Sequence, residues 1–410
     1  MERKILIEKS NSRIRTYFLE DGDIVEIHSA SSDETGSGRY RLGDVYVGKV
    51  KNIVPNIGAA FIEVENGVNC YYDMKDVKDA FFTHKAGHKP LCIGDELVVQ
   101  ISREAVKSKA PTVTGNISFT GRYAVLTHGN TRIGVSSKIP KSLRDEYKER
   151  LSDYQNDRFG IIVRTNAKDV PFTEVITEIE SLKSDYETLF DTAVTRTCFS
   201  CLKSAPPSYI LDLKNVYMDG MKEIIIGDKE LYTRIQSYFR SELPDKLDLL
   251  KLYDDPAFPL DKLYSTQTAL EKALNEKVWL KTGGYLIIQP TEALTVIDVN
   301  SGKAAAKARS RSDSETGALK VNLEAAREAA RQIRLRNLSG IIIVDFINLE
   351  TEEHTQQLLR EFRFHLAKDP IQTSLVDITP LGLVEITRKK VRKPLCEEET
   401  FHLQERKEAL

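Results

Sequence analysis

No apolar run in this chain approaches the roughly 18–20 residues that a bilayer-spanning helix needs. The N-terminus also lacks the basic start, apolar stretch and small-residue cleavage site of a secretory leader. The expectation is a cytoplasmic protein with no membrane span. Cysteine is scarce: Cys70, Cys92, Cys198, Cys201 and Cys396 are all there are, and they form no disulfide framework. Cys198 and Cys201 alone have metal-like spacing but lack a second pair nearby, so they read as reduced thiols before they read as a metal site. No Gly-x-x-x-x-Gly-Lys-Ser/Thr loop occurs, which excludes a nucleotide-driven ATPase of that type. Neither sign of charge is in excess, with 59 Lys and Arg against 61 Asp and Glu. That balance excludes nothing about nucleic acid, because local patches can be strongly basic within a neutral total.

What is present is a globular composition, 41% hydrophobic and 29% charged over 410 residues, enough for roughly two to four domains with ample core. The most informative stretch is 283–303. It reads as a hairpin with strands at 285–289 and 293–299, the second apolar except for Thr295 until it delivers Asp298 and Asn300. These two share one face, since side chains alternate along a strand. The apolar run 341–347 repeats the device, broken only by Asp345. The loop and helix between them are long enough to bring both strands into one sheet. Paired carboxylates without Cys or His suit a hard, oxygen-loving cation, magnesium first. The competing reading is that each aspartate caps a helix or pairs with an arginine.

Three short strands open the chain. From 40 to about 120 the pattern is all-β with glycine bends, which suits a small closed barrel of the OB type. Such barrels hold single-stranded nucleic acid by stacking bases on aromatics and drawing phosphates with lysines. Phe61, Tyr71 and Lys109 are the candidates, with Lys107 close by. The alternative is that Phe61 and one of Tyr71 and Tyr72 fill the barrel. A helix is expected at 142–155 and a strand at 160–166 that ends in Arg164-Thr165. Arginine followed by a hydroxyl at a strand end can grip a phosphate, although most such arginines are solvated or salt-bridged.

Helical spacing predicts a helix over 172–203, and strands and helices then alternate, including a helix at 265–277. The Ala-, Ser-, Lys- and Arg-rich segment 301–320 reads as an RNA-facing loop, and 321–338 as a helix with Arg327, Arg331, Arg334 and Arg336 off its apolar face. The basic cluster 388–393 reads either as an RNA-backbone contact or as a charged tail.

Residues 283–302, 322–326, 331–336, 341–346 and 381–388 together closely resemble the bacterial ribonuclease E/G family, a likeness that runs from the first strands to about Pro394. The resemblance implies an α/β multidomain fold. A ribonuclease H-like domain (1–39 and 207–276) is interrupted by an S1-type OB-fold RNA-binding domain (40–118) and a 5′-sensor domain (119–206). A DNase I-like catalytic domain (277–394) and a tail (395–410) follow. It makes Asp298 and Asp345 magnesium ligands, Asn300 a catalytic asparagine, and Phe61, Tyr71 and Lys109 contacts for single-stranded RNA. Arg164 and Thr165 match a pair that grips a 5′-monophosphate, with Gly134 and Val135 near the facing loop. The chain departs from the family pattern at Asn348, where an aspartate is usual, and at Gly134, where two glycines are common. Cys396 stands alone where a Cys-Pro-x-Cys zinc link is expected. No zinc is therefore expected, and a homodimer would need another surface.

The function expected is a magnesium-dependent endoribonuclease of RNA processing and decay, leaving 5′-phosphate and 3′-hydroxyl ends. The rival is a non-catalytic RNA-binding factor of the same fold that assists ribosomal RNA maturation.

Overall fold

A computed structural model describes residues 2–10, 12–31, 40–65, 67–103, 105, 110–216, 218, 220–302 and 311–399, apart from the side chains of 311–314. It is a mixed α/β structure with several sheets and a small closed barrel. The chain divides into two units, one from 1–33 with 218–410 and one from 34–217.

The first unit holds two sheets. One runs in the order Leu250–Leu252, Met221–Ile226, Arg3–Ser10, Arg13–Glu20, Asp23–Ser31. Its first three strands are parallel and its last two continue as an antiparallel meander. Ile5, Leu6 and Ile7 are consecutive and fully buried, as expected of a strand covered on both faces.

The other sheet has six strands in the order Lys277–Trp279, Tyr285–Pro290, Leu294–Asn300, Gly340–Asp345, Leu383–Arg388, Thr373–Ile378. Only its central pair, Leu294–Asn300 and Gly340–Asp345, is parallel. A parallel pair needs a crossover, and the helix Arg311–Leu335 supplies it. Ala325, Ala326, Ala329 and Ile333 of that helix pack on Leu286, Ile288, Ile297 and Val299, the alanines permitting close approach. Helix Glu352–Leu366 adds Leu358, Leu359 and Phe362 to the same core. Fully burying a side chain such as Phe362 is worth about 1.5–3 kcal/mol. On the opposite face Ile341 and Val376 are more than half exposed. One face of this sheet is therefore core and the other is open.

In the second unit a barrel closes through Val45–Val54, Ala59–Glu65, Val68–Asp73, Thr112–Thr114, Glu96–Arg103 and back to Val45–Val54. Gly48 makes closure possible, because a Cβ there would press on the side chains of Ile62 and Val99. A four-stranded sheet follows, in the order Ser118–Thr120, Ala124–His128, Phe159–Val163, Ile133–Val135. Helix Phe172–Ala193 packs on it through Val175, Ile179, Leu182 and Tyr186.

Several expectations from sequence need correction. The helix expected over 172–203 stops at Ala193, and Cys201–Lys203 is a strand paired with the barrel at Tyr46. Phe199 between them has φ +70°, a left-handed conformation that ends regular structure. The helix expected over 265–277 covers Thr266–Leu274, and Lys277–Trp279 is the edge strand of the six-stranded sheet. The loop expected over 301–320 is helical from Arg311, since Ala, Lys and Arg favour helix whatever their solubility suggests. Residues 303–310 lie outside the described residues. That helix ends at Leu335, with Asn337 in the left-handed region at φ +51°, a common way to terminate one.

Candidate active site

The hairpin Tyr285–Pro290 and Leu294–Asn300 is held at its turn by the Thr291 amide donating to the Leu294 carbonyl at 2.9 Å. Along the second strand Thr295, Ile297 and Val299 are buried against the helices, so Val296, Asp298 and Asn300 fall on the open face. Asp298 stands in register with Asp345 across the parallel pair. Adjacent strands lie about 4.8 Å apart, and both carboxylates rise from the same face. Asp298 is half-buried and Asp345 exposed, so neither is sealed from solvent. Asn300 donates from Nδ2 to Asp298 Oδ2 at 2.6 Å, and its amide oxygen remains as an acceptor.

Among the described residues neither aspartate ion-pairs with a lysine or arginine, and neither caps a helix. The competing reading of a structural aspartate has no support here. Two carboxylates side by side repel each other unless a cation joins them. The donor set is oxygen only, which fits a hard divalent cation. No group of three or more His, Cys, Asp or Glu among the described residues is placed to hold a metal. An ion bound at this pair would therefore keep positions for water or phosphate, the usual way magnesium is held.

Residues remote in sequence hold these strands in place. Gly284 sits where a Cβ would lie 2.7 Å from the Asn300 carbonyl and 3.0 Å from Val321 Cγ1, so only glycine lets the strand ends close up. Glu324 on the crossover helix accepts from the amides of Lys281 at 2.5 Å and Thr282 at 3.0 Å. Burial works to raise its carboxyl, yet Thr282 and the Lys281 amide hold it below the ordinary carboxylate value. Fully buried Asn322 donates to the Ile347 carbonyl at 2.7 Å and accepts from the Ile347 amide at 3.1 Å, anchoring the chain just after Asp345. No spacing pattern marks Asn322 or Glu324, because their partners are backbone groups far along the chain.

Of the four helix arginines Arg327 is exposed, as a solvated face would have it, while the other three are tied into the fold. Arg334 donates to Glu20 at 3.0 Å and Glu26 at 3.1 Å, and Arg331 to Glu328 and the Ile24 carbonyl. Buried Arg336 bonds Gln332. Within the basic cluster 388–393, Arg388 is buried and bonds Asp369 at 2.7 Å, Asn337 at 2.6 Å and the Leu338 carbonyl at 3.1 Å. These guanidiniums tie the fold together.

In the second unit Phe61 and Tyr71 are cross-strand partners, half-exposed, with ring centroids 6.4 Å apart and an interplanar angle of 87°. Tyr72 is the residue that fills the barrel. Lys109 and Lys107 lie outside the described residues. The chain emerges from that stretch beside Tyr71, whose amide donates to Pro111 at 2.7 Å.

Gly134 and Val135 pair in parallel with Ile162 and Val163, which brings them alongside Arg164 and Thr165. Thr165 and Ser136 hydroxyls lie 2.9 Å apart. Arg164 donates to the Gly121 carbonyl at 2.6 Å and to Asn215 Oδ1 at 2.9 Å, both neutral acceptors. Burial lowers the pKa of its guanidinium.

The ribonuclease E/G family model matches residues 118–391. Ribonuclease E of Synechocystis sp. is 34% identical over 372 residues, covering 88% of this chain and 54% of that protein. Ribonuclease E of Nostoc sp. is 32% identical over 399 residues, covering 95% and 56%. Ribonuclease G of Escherichia coli K12 is 29% identical over 409 residues, covering 96% and 81%. The chain thus spans about half the length of the two ribonuclease E proteins and about four-fifths of ribonuclease G. No described helix is long and apolar enough to cross a membrane.

Proposed function

The chain belongs to the ribonuclease E/G family, and from that premise we propose that it is a magnesium-dependent endoribonuclease acting on single-stranded RNA. The observation that carries the proposal is the in-register pairing of Asp298 with Asp345 on an open sheet face, with Asn300 bonded to the first.

Asp298 and Asp345 would hold the cation. When bound, such an ion supplies acidification and orientation of a water and offsets charge developing on the phosphate. Asn300 holds one Asp298 oxygen through its amide nitrogen, and its own oxygen would be the acceptor offered to a bound water. Cleavage would leave 5′-phosphate and 3′-hydroxyl ends, and the physiological role would be processing and decay of ribosomal and messenger RNA.

The proposed layout is a ribonuclease H-like domain (1–39 and 207–276), an S1-type OB fold (40–118), a 5′-sensor domain (119–206) and a DNase I-like catalytic domain (277–394). Phe61 and Tyr71 would stack bases, helped by Lys109. Arg164 and Thr165, with Gly134 and Val135, would grip a 5′-monophosphate. The Arg164 guanidinium spends these hydrogen bonds on neutral oxygens, with the Glu178 carboxylate acting on it only through space, so an anion would be its first directly bonded charged partner.

The test is incubation of the full chain with a short AU-rich single strand, with magnesium or with EDTA, followed by mapping of product ends. Magnesium-dependent internal cuts with 5′-phosphates are expected. RNA binding without any metal-dependent turnover would instead identify a non-catalytic factor.

A further inference from the structure

The open face that carries the aspartates also carries, at its edge, an aromatic and cationic cluster with no packing role. Strand Lys277–Trp279 contributes only Val278 to the core of its sheet. Lys277 and Trp279 point the other way, and Trp279 is 65% exposed. Its ring meets Tyr285 edge to face at 5.3 Å and 61°. The Lys277 ammonium lies 4.1 Å from the Trp279 ring and 3.7 Å from the Tyr285 ring.

Register connects this cluster to the catalytic pair. Trp279 is opposite Tyr285, which is opposite Asn300, and Lys277 is opposite Ile287, which is opposite Asp298. Two strand spacings, about 10 Å, separate the edge strand from Asp298 on one continuous surface, and three, about 14 Å, separate it from Asp345. That is a short step along an extended RNA strand.

We propose that Trp279, Tyr285 and Lys277 form a second RNA platform, which seats a base of the single-stranded substrate and its phosphate next to the bond being cut. The proposal rests on the ribonuclease reading and deepens it by naming positioning residues on the catalytic sheet itself. An exposed indole offers a base a flat stacking surface without regard to sequence. Lys277 supplies the charge. Among the described residues it has no carboxylate partner, and its ammonium is a mobile point charge that can turn from the rings to a phosphate. The rest of this face presents Asp298, Asp345, Asp377 and Glu385. A phosphate approaching that acidic field is helped by a cation at its edge. The arrangement repeats, on a different unit, the cross-strand pairing of Phe61 with Tyr71.

Trp279 is the chain's single tryptophan, so its emission reports this spot alone. In EDTA, titrating the full chain with an oligoadenylate of about ten nucleotides should quench that emission saturably. Lys277→Ala should weaken the titration several-fold. In magnesium, Trp279→Ala should raise KM roughly tenfold with kcat nearly unchanged, the size of one stacked base. Trp279→Phe should recover most of the loss. Exposure of the side chain means that neither variant should lower the melting temperature appreciably. Labelled RNA that binds while the tryptophan emission stays constant overturns the platform, as does an unchanged KM in Trp279→Ala. Quenching without metal-dependent cleavage would support the platform and sink the nuclease reading. Cleavage with a silent tryptophan would do the reverse.

Discussion

Gly284 shows how a single position fixes the site. Its missing side chain lets the Asn300 carbonyl and Val321 come within reach, and the backbone neighbour cannot rotate away as a flexible side chain could. Gly284→Ala should cost about 1–3 kcal/mol, read as a drop of a few degrees in melting temperature, together with a fall in turnover as Asn300 is displaced. Unchanged stability and activity would contradict this account of Gly284. At this scale the placing of Asp298, Asn300 and Asp345 on neighbouring strands was legible in the sequence, because a polar residue in an otherwise apolar strand stands out and alternation assigns its face. Whether Tyr71 or Tyr72 fills the barrel was not legible. Both fit a strand, and only the register with Phe61 decides it. Asn322 and Glu324 were invisible as supports, since helix spacing says nothing about which distant amides a side chain will meet.

Among the elements, the crossover helix and the strand Leu383–Arg388 show that Arg331, Arg334, Arg336 and Arg388 serve the fold, while Arg327, Lys389 and Lys390 stay exposed. Arg388 is wholly enclosed, and Asp369, Asn337 and the Leu338 carbonyl use its fork. Arg388→Met would strand the Asp369 carboxylate in the interior, a change that typically costs about 3–5 kcal/mol. A urea melt should show that loss while RNA affinity of the surviving folded protein stays level. Retained stability with weakened RNA binding and a shallower salt dependence would restore the electrostatic reading instead. The same physics explains why charge runs mislead: composition registers a guanidinium, whereas its partner depends on tertiary contacts. Strand and hairpin positions were read to within a few residues. The helix starting at Arg311 is not legible in the sequence, because a segment rich in Ala, Ser, Lys and Arg suits an RNA-facing loop as well as a helix.

Across the molecule, the stability of the first unit should carry a mark of buried carboxyls. Glu8, bonded by the Thr266 hydroxyl at 3.1 and 3.0 Å, is pushed up to about 7 chiefly by burial, with Asp261 adding and Thr266 and Arg15 opposing. A carboxyl whose folded pKa lies above its unfolded value favours folding when protonated. Its contribution is complete below about 4.5 and is lost as pH rises through about 7. The difference in melting temperature between Glu8→Gln and the parent should therefore move in favour of the variant from pH 5 to pH 8. A difference constant with pH would contradict the assignment. The division of the chain into two units was only partly visible in the sequence. The all-β stretch marks the barrel by composition, but its closure depends on the pairing of Val45–Val54 with Glu96–Arg103, which no local pattern encodes.

The account rests on Asp298 and Asp345 serving one divalent cation. The most direct measurement is the initial rate of single-stranded RNA cleavage against magnesium concentration for the parent, Asp298→Ala, Asp345→Ala and the double variant, with RNA affinity measured alongside. Each single variant should lose about a thousandfold or more in rate with RNA binding largely kept, and the double should lose little beyond either, because groups that act as a unit are not additive. Metal-dependent turnover close to the parent's in either single variant, or losses that multiply in the double, would contradict it.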